Sequence, residues 1–514
     1  MGRSWITVRW RHGGFTDFGG NEDKSVLQEF IGQVSRCGCR LLLSCLHLTE
    51  VVMTLQTNLL LTIAFFSGTL LAQDTVTQRV PGRQFPAQQV IVLRNARVID
   101  GTGTAPQEHV SLLLRNGKIE QVGGADLVTP AGAQVLDLTG KTVMPGLISA
   151  HSHLGLIVDD AESSATGYTR ENVTAQLKQY ERYGVTTILS LGLNRDLVFV
   201  LRDEQQAGRL GGASIFTAGR GIGVPDGAPP LLAATDQIFR PATEKEARRD
   251  VDEMAAQRVD IIKIWVDKLH GKAPEMGPEI YKAVIDEAHK RHERVAAHEY
   301  ALEDAKQLVA DGVDVLAHSV RDQVVDDAFV RSMKQHHVWY VPTFTVDESA
   351  FIYADDPAFM KTSFFRLAAG PKLMAKFDAP GYAEKIKQDP QTAQHEKDFE
   401  VGQQNLKKMF DAGVSVGFGT DSGALPGRIP GFAEHHELAL MVRAGLTPLQ
   451  AITAATGENA KLLHAGDRGT IAAGKHADLL VLDADPLVDI GNTQRIFAVY
   501  HDGHSIADLP SHAK

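Results

Sequence analysis

Two histidines, His151 and His153, are the first residues whose type and spacing suggest chemistry. They are separated by one residue and closely follow an apolar run over residues 143–148. Side chains two positions apart on an extended segment point the same way, so both imidazoles could bind one metal ion. Neutral imidazole is a common ligand of zinc, and manganese or cobalt could replace zinc at such a site. The spacing therefore predicts a metal site at the end of a strand.

Further candidate ligands lie at or near the ends of other apolar runs. His298 and His318 each end such a run, and Asp421 follows another. Lys263 lies inside the apolar run over residues 260–266. In a barrel of parallel strands, the carboxyl ends of all strands meet at one face, where active sites form. We therefore expect these side chains to converge on the same site as the first two histidines.

Lys263 has two possible explanations. A bare ammonium buried in an apolar strand is costly unless it is paired. It could form an ion pair with Asp260 or Asp267, which flank it in the sequence. It could instead react with carbon dioxide to give N6-carboxylysine, an anionic carbamate that can bridge two metal ions. Both explanations stay open at the level of sequence, although two divalent ions a few ångströms apart would need such a bridging anion.

The middle of the chain, residues 143–465, alternates apolar strands with helix-like stretches, which is typical of parallel β/α units. Eight strands are predicted, over residues 143–148, 187–191, 214–218, 260–266, 294–297, 313–317, 338–343 and 414–419. Eight strands with crossover helices predict an α/β fold of the (β/α)8 TIM-barrel type. Helices are predicted over residues 278–290 and 302–311 and after Thr447. Residues 346–397 are predicted to form a long loop that acts as a lid.

The two ends of the remaining chain share a different pattern. Residues 88–142 and 466–510 contain short apolar strands separated by turn residues. Asn116-Gly117 is a strong hairpin signal, and Asp502-Gly503 predicts a second turn. These features predict one small β-sandwich domain built from both ends.

The start of the chain is predicted to direct export. Residues 59–72 are apolar but too short to span a bilayer comfortably. They resemble the core of a secretory signal over residues 53–73, which makes Met53 the natural start. Residues 1–52 would then be a disordered or non-native extension. This interpretation predicts a periplasmic or secreted protein without a stable membrane anchor after signal cleavage; the alternative is a buried helix or strand.

Charge and cysteine content exclude several classes of protein. The formal net charge of the 514 residues is -11, which disfavours nucleic-acid binding. All three cysteines lie within the first 45 residues, so a disulfide scaffold and a catalytic cysteine are excluded for the rest. Homo-oligomerisation stays possible.

Three longer motifs carry a family resemblance. They are MPGLISAHSH at residues 144–153, VGFGTD at 416–421 and GKHADL at 474–479. With them, the chain resembles the amidohydrolase superfamily over residues 90–506. The segments AHEY at 297–300 and LAHS at 316–319 resemble the imidazolonepropionase-like and Xaa-Pro dipeptidase-like branch. One departure is Ser149, where relatives commonly carry aspartate.

The resemblance implies a site with two divalent metal ions, expected to be zinc. His151 and His153 would bind the more buried ion together with Asp421. The second ion would be bound by His298 and His318, and carboxylated Lys263 would bridge the two. A hydroxide shared by the metals would attack an amide carbonyl, with Asp421 as the general acid and base.

The substrate class is predicted more broadly. The resemblance implies cleavage of a C–N amide bond in a dipeptide, Xaa-Pro or N-acyl amino acid substrate. Arg220, Tyr300 and Tyr340 are candidates for substrate binding. One alternative is a mononuclear cyclic-amide hydrolase or deaminase of the imidazolonepropionase type. Another is a non-catalytic barrel that serves as a scaffold.

Overall fold

The computed structural model describes residues 90–159, 164–229 and 234–510. The predicted extension over residues 1–52 and the predicted signal peptide over residues 53–73 lie outside this part of the chain. Within it, no helix combines the length and apolar character needed to cross a membrane.

The described residues contain fifteen strands and thirteen α-helices. The strands are β1 (Val90–Val98), β2 (Gln107–Arg115), β3 (Lys118–Gly123), β4 (Gln134–Asp137), β5 (Thr142–Pro145), β6 (Leu147–Ser152), β7 (Val185–Ser190), β8 (Ser214–Thr217), β9 (Ile262–Trp265), β10 (Val295–His298), β11 (Val315–Leu316), β12 (Trp339–Tyr340), β13 (Leu479–Leu482), β14 (Ile496–His501) and β15 (His504–Ser505). The helices are α1 (Arg170–Arg182), α2 (Leu197–Gln206), α3 (Glu244–Ala256), α4 (Pro278–Lys290), α5 (Leu302–Ala310), α6 (Asp327–Gln335), α7 (Thr345–Glu348), α8 (Ser363–Phe377), α9 (Tyr382–Gln388), α10 (Pro390–Asp411), α11 (Phe432–Arg443), α12 (Pro448–Thr453) and α13 (Asn459–Leu462).

Strands from both ends of the described chain form one eight-stranded sheet. Its order is β15-β14-β13-β5-β1-β2-β3, and β4 pairs with β1. The two ends join where Val143 of β5 lies opposite Val481 of β13 in an antiparallel pair. A bridge between Lys118 and His476 connects the start of β3 to the segment before β13, so the sheet curls around its own apolar core. Both ends of the described chain contribute strands to one sheet, as predicted, whereas the division of this sheet into a two-layer sandwich stays a prediction.

Both predicted turns of this sheet are present. Asn116 and Gly117 have φ values of 51° and 80° and connect the antiparallel strands β2 and β3. Asp502 and Gly503 connect β14 and β15 in the same way. Asparagine, aspartate and glycine tolerate this left-handed backbone, which is why these dipeptides mark hairpins in a sequence.

The middle of the chain forms two parallel sheets. One has the order β6-β7-β8 and the other β12-β11-β10-β9. Single bridges extend them: Ile222 to Ile264, Tyr340 to Val416 and Ser152 to Ser422. Parallel strands joined by helices establish the α/β class that the alternating pattern predicted.

Two strand predictions need correction. Residues 143–148 are not one strand, because the chain leaves the mixed sheet after β5 and enters the parallel sheet at β6. Gly146 lies at this crossing, where a Cβ atom would come within 2.4 Å of the Thr186 hydroxyl. Residues 414–419 form no assigned strand, and only Val416 makes a ladder bridge.

The helix predictions hold, but the predicted long loop over residues 346–397 is wrong, whereas the role of this segment as a lid stays a prediction. Helix α4 has the predicted bounds, and Thr447 caps α12 through a hydrogen bond from Gln450 N. Residues 346–397 are largely helical rather than a loop. Their aromatic side chains supply the reason: Phe365 is buried, and Tyr353 stacks on Phe377 with ring centroids 4.3 Å apart. Packing of these rings stabilises the helices, which the polar composition of residues 346–397 did not predict.

Candidate metal centre

The carboxylate of Asp421 faces the two histidines of the first motif. Its Oδ1 lies 3.1 Å from Nε2 of His151 and 2.8 Å from Nε2 of His153. His151 belongs to β6, and His153 follows that strand directly. The backbone N–H of Asp421 donates to the His151 carbonyl at 2.8 Å, and that of His153 donates to Ser422 at 2.7 Å. Two segments nearly 270 residues apart are thus joined at the site.

Close packing and an unusual backbone shape the Asp421 segment. Asp421 has a φ of 57°, the left-handed region that few residues other than glycine adopt. At Gly419, a Cβ atom would lie 2.6 Å from the Cβ of His151. Only glycine allows the two backbones to approach this closely, which explains the glycine two residues before the aspartate. Backbone conformations of this kind often occur at functional sites.

His318 and His298 lie beside the same centre. The ring centroids of His318 and His151 are 4.6 Å apart, and those of His298 and His318 are 4.3 Å apart. One ligand atom from each of His151, His318 and Asp421 lies within 4.8 Å of the other two. The structure therefore brings together all four candidate histidines and the candidate aspartate.

Neighbouring groups orient three of the imidazoles. His153 Nδ1 lies 3.4 Å from the Gly192 carbonyl, and His318 Nδ1 lies 2.7 Å from the Thr343 hydroxyl. His298 Nε2 lies 3.0 Å from a carboxylate oxygen of Asp267. Such partners fix the tautomer and leave the other ring nitrogen available as a ligand.

Burial lowers the pKa of His151, His298 and His318 and thereby favours their neutral form. It lowers the pKa of His151 to about 3, with help from the Lys263 charge. Burial also lowers the pKa of His298 and holds that of His318 well below its usual value. A neutral imidazole has a free lone pair, which is the form that binds metal ions.

Lys263 is completely buried, and its amine has no hydrogen-bond partner among the described residues. Burial lowers its pKa to about 7, although the charges of Asp421 and Glu299 oppose this. The ion-pair partners predicted from sequence are engaged elsewhere. Asp260 accepts from Arg202 at 3.1 Å, and Asp267 faces His298. Of the two explanations left open by the sequence, the ion pair of Lys263 with either aspartate does not form among the described residues.

The donor set fits divalent metal ions. Imidazoles and a carboxylate converge, and the buried Lys263 amine interacts electrostatically with His151 and Asp421. Nδ1 of His151, the Lys263 amine and both oxygens of Glu299 lack hydrogen-bond partners. Buried polar atoms without partners are rare in folded proteins, and an ion with its bound water would satisfy this group.

The candidate substrate residues occupy different environments. Tyr300 lies two residues after His298, and its hydroxyl donates to Asp398 at 3.0 Å. Tyr340 is fully buried, with a hydroxyl that lacks a partner among the described residues. Arg220 binds Asp196 at 3.3 Å and Glu253 at 3.4 Å, so the structure directs its guanidinium to these carboxylates and not to the predicted ligands.

Sequence reasoning missed several residues that support the centre. Arg428 donates to Oδ2 of Asp421, and Glu434 accepts from the hydroxyls of Thr420 and Ser422, each at 2.7 Å. Arg428 lies in a loop and Glu434 on a helix, and neither belongs to a motif whose spacing reveals a role. Ser149 lies 3.4 Å from Glu434 and accepts from Ser152, so its departure from the family pattern falls in this supporting network.

Comparison with known proteins identifies the family. The sequence matches the amidohydrolase family over residues 142–506, about seven tenths of the chain. This chain is an amidohydrolase. An imidazolonepropionase from Deinococcus radiodurans is 25% identical over 393 residues, which cover 75% of this chain and 88% of the relative. The resemblance drawn from the motifs is thereby confirmed, and the amidohydrolase is a hydrolase acting on carbon–nitrogen bonds.

Solved structures agree with this assignment. A crystal structure from Bifidobacterium longum, described as that of a prolidase candidate, is 26% identical, with a TM-score of 0.65 over 82% of the amidohydrolase and 95% of the other chain. A Xaa-Pro dipeptidase with methionine bound in its active site is similar in fold, with a TM-score of 0.65 and 24% identity over 81% of the amidohydrolase and all of the other chain. The non-catalytic scaffold is therefore set aside.

Proposed function

We propose that this amidohydrolase uses two divalent metal ions to cleave the amide bond of a dipeptide, Xaa-Pro or N-acyl amino acid substrate. One observation supports the proposal above all. Oδ1 of Asp421 lies within 3.1 Å of both His151 and His153, and the unpaired, buried amine of Lys263 belongs to the same centre. An isolated buried amine has little structural value, whereas a carboxylated lysine could bind and separate two cations.

Each candidate ligand has a role in this proposal. His151, His153 and Asp421 would hold one ion, and His298 and His318 would hold the other. Carboxylated Lys263 would lie between them, because burial lowers the pKa of its amine to about 7, so that a substantial fraction is unprotonated near neutral pH and able to react with carbon dioxide. When bound, ions such as zinc would polarise the substrate carbonyl and lower the pKa of a water molecule.

Asp421 is suited to move the proton. Burial opposes its ionisation, but the charges of Arg428 and His153 hold the pKa of Asp421 well below its usual range. The ionised carboxylate can accept a proton on one side of the reaction and deliver it to the leaving nitrogen on the other. Its backbone, fixed by the hydrogen bond to His151, keeps that carboxylate aimed at the centre.

The proposal includes a closed (β/α)8 barrel. Support comes from the three parallel bridges that follow the strand order: Ile222 to Ile264, Tyr340 to Val416 and Ser152 to Ser422. The last of these returns the segment after residue 419 to the first parallel strand. In such a barrel the candidate ligands other than Lys263, which lies inside β9, are at or just beyond the carboxyl ends of strands, where catalytic groups of this fold form their site.

The substrate class is supported by the relatives and by two tyrosines. Among the solved structures of similar fold are a prolidase candidate and a Xaa-Pro dipeptidase, and a peptide-like amide is therefore the first substrate to test. Tyr300 and Tyr340 are proposed to border the substrate, because one follows His298 by two residues and the other has a free hydroxyl. Arg220 is also proposed as a substrate residue, and it would have to exchange its contacts with Asp196 and Glu253 for the substrate.

A mononuclear cyclic-amide hydrolase is the second candidate. His151, His318 and Asp421 form a compact set, while Asp267 holds His298 by one nitrogen. One ion would then suffice, and an imidazolonepropionase is among the relatives.

Metal content and substrate panels separate the two candidates. Chelator-treated protein is reloaded with Zn²⁺ and compared with a His151→Asn, His298→Asn double variant. We expect the wild type to hold two more zinc ions per chain than this variant and to hydrolyse linear amides. A difference of one ion with activity on cyclic amides alone would favour the mononuclear enzyme.

We further propose that the protein is exported, on the strength of the apolar segment over residues 59–72. Sequencing the amino terminus of protein recovered from the cell exterior tests this. A mature chain that retains residues 59–72 would contradict it.

A further inference from the structure

A second group of histidine and carboxylate side chains lies in the sheet formed by the two chain ends. It consists of His476 and Asp478, around the start of β13, and Asp502, in the turn between β14 and β15. One ligand atom from each lies within 4.8 Å of the other two. The proposed catalytic chemistry uses none of them, so the group needs its own explanation.

Several hydrogen bonds hold the group together. His476 Nδ1 lies 2.5 Å from an oxygen of Asp502, and its Nε2 lies 3.1 Å from an oxygen of Asp467. The Asp502 backbone N–H donates to Oδ1 of Asp478 at 2.8 Å, and the His476 N–H donates to the Asp467 carbonyl at 2.8 Å. The three side chains are therefore positioned before any ligand binds.

Asp478 points to a missing ligand. The residue is only 4% exposed, and its Oδ2 has no hydrogen-bond partner among the described residues. The nearest cation is the guanidinium of Arg468, 3.9 Å away and beyond hydrogen-bonding distance. A buried carboxylate oxygen without a donor costs folding free energy, because it has lost its hydrogen bonds to water and has gained none within the protein.

The charges nearby also call for a cation. Carboxylates at Asp467, Asp478 and Asp502 surround His476, and Arg468 supplies one positive charge. His501 also interacts with Asp478 and Asp502, but Glu181 pairs with this histidine at 2.7 Å, so binding of a divalent ion would still improve the charge balance. Asp467, His476 and Asp502 line a cavity of about 440 Å³, which gives an ion access from solvent.

We propose that His476, Asp478 and Asp502 bind one divalent transition-metal ion such as Zn²⁺, separate from the catalytic centre. One imidazole and two carboxylates are suitable zinc ligands, and water would complete a four-coordinate site. The ion would take the place of the proton that His476 shares with Asp502 and would satisfy Oδ2 of Asp478. It would join β13 to the β14–β15 turn and thereby stabilise the sheet. This proposal does not depend on the catalytic one.

Zinc content of full-length variants tests the site. Chelator-treated protein is dialysed against Zn²⁺ and freed of loose metal, and zinc per chain is then measured. His476→Gln and Asp502→Asn should each bind one zinc ion fewer than the wild type. His336→Gln, at an exposed histidine, is the control and should match the wild type. If both site variants bind as much zinc as this control, the group binds no ion and the proposal fails.

A second measurement avoids any folding defect of those variants. The His151→Asn, His298→Asn double variant lacks ligands of the catalytic centre but keeps the second group. It should still bind one zinc ion per chain, and zinc should raise its Tm. Failure of this variant to bind zinc would overturn the proposal, whereas loss of hydrolysis alone would concern only the catalytic centre.

Discussion

Arg428 donates to Oδ2 of Asp421, seven residues earlier in the chain, while Oδ1 of the same carboxylate faces His151 and His153. Asp421 is therefore held from both sides, by a guanidinium and by two imidazoles. The aspartate is suited both to help bind metal and to transfer a proton, and Arg428 keeps it ionised and correctly placed. The first two predictions follow from this arrangement.

Asp421→Asn should lower kcat by about 10²–10⁴, the usual contribution of a general acid and base. Asparagine tolerates the left-handed backbone of this position, so the segment should keep its shape. Its amide oxygen and the imidazoles should keep most of the metal bound. Steady-state kinetics and zinc content on one preparation measure both effects. Near-normal turnover would exclude Asp421 as the proton-transfer group.

Arg428→Gln should lower kcat by about 10–100-fold, because partners of metal ligands contribute on that scale. The loss should appear in kcat with folding retained, since Asp421 would keep its backbone contacts. Arg331→Gln removes an exposed arginine and provides a matched control. Equal kcat values in the two variants would show that Arg428 does not position Asp421.

Lys263→Ala should remove one zinc ion per chain from the catalytic centre. The variant lacks the carbamate that would separate two cations, and their repulsion would then expel one. Short carboxylic acids added to the buffer should restore part of the activity by taking the place of the carbamate. Full zinc occupancy in Lys263→Ala without any carboxylate would refute carboxylation of this lysine.

Gly419→Ala should destabilise the protein by about 1–3 kcal/mol, the usual cost of overpacking, and should weaken zinc binding. The added methyl group would lie 2.6 Å from the Cβ of His151 and push the Asp421 segment away. Urea denaturation and zinc titration measure the two effects. Gly466→Ala is the control, because a Cβ atom there meets nothing within 4 Å. If Gly419→Ala and Gly466→Ala had the same stability and zinc affinity, the His151 and Asp421 segments would be able to move apart at little cost in free energy.

His435 should make stability depend on pH below neutrality. Its Nε2 lies 2.7 Å from the Tyr183 carbonyl, and burial lowers the pKa of His435 from 6.5 to about 4, although this hydrogen bond opposes the shift. The unfolded chain therefore takes up a proton near pH 6.5 that the folded chain refuses until about pH 4. Stability from this group is complete above pH 6.5 and is lost as the pH falls.

Between pH 7.5 and pH 5, His435 is expected to lower the free energy of unfolding by about 2 kcal/mol. Urea denaturation at both pH values, for wild type and His435→Gln, isolates this contribution from that of the carboxylates. The variant should be less stable at pH 7.5 but should lose less on acidification. If acidification lowered the free energy of unfolding equally in both proteins, His435 would be protonated in the folded state.

Much of the element structure could be predicted from the sequence. Helix α4 has the predicted bounds, and the Asn116-Gly117 hairpin lies where the dipeptide indicated. Seven of the eight predicted parallel runs contain an assigned strand. Helix ends and hairpin turns depend on contacts between residues close in the chain, and buried strands show as short apolar runs, so short stretches of sequence contain the information. The helical segment over residues 346–397 was missed because its stability comes from aromatic packing between helices.

The candidate ligands were also readable from sequence. His151, His153, His298, His318 and Asp421 all lie at the ends of apolar runs, and parallel strands necessarily gather such ends at one edge. Only the tertiary structure decided which partners these residues have: Arg428 on Asp421, Asp267 on His298, and no carboxylate in hydrogen-bond contact with Lys263. Those contacts join residues whose separation in the chain follows no period. They depend on how whole elements pack, and local sequence patterns do not encode that packing.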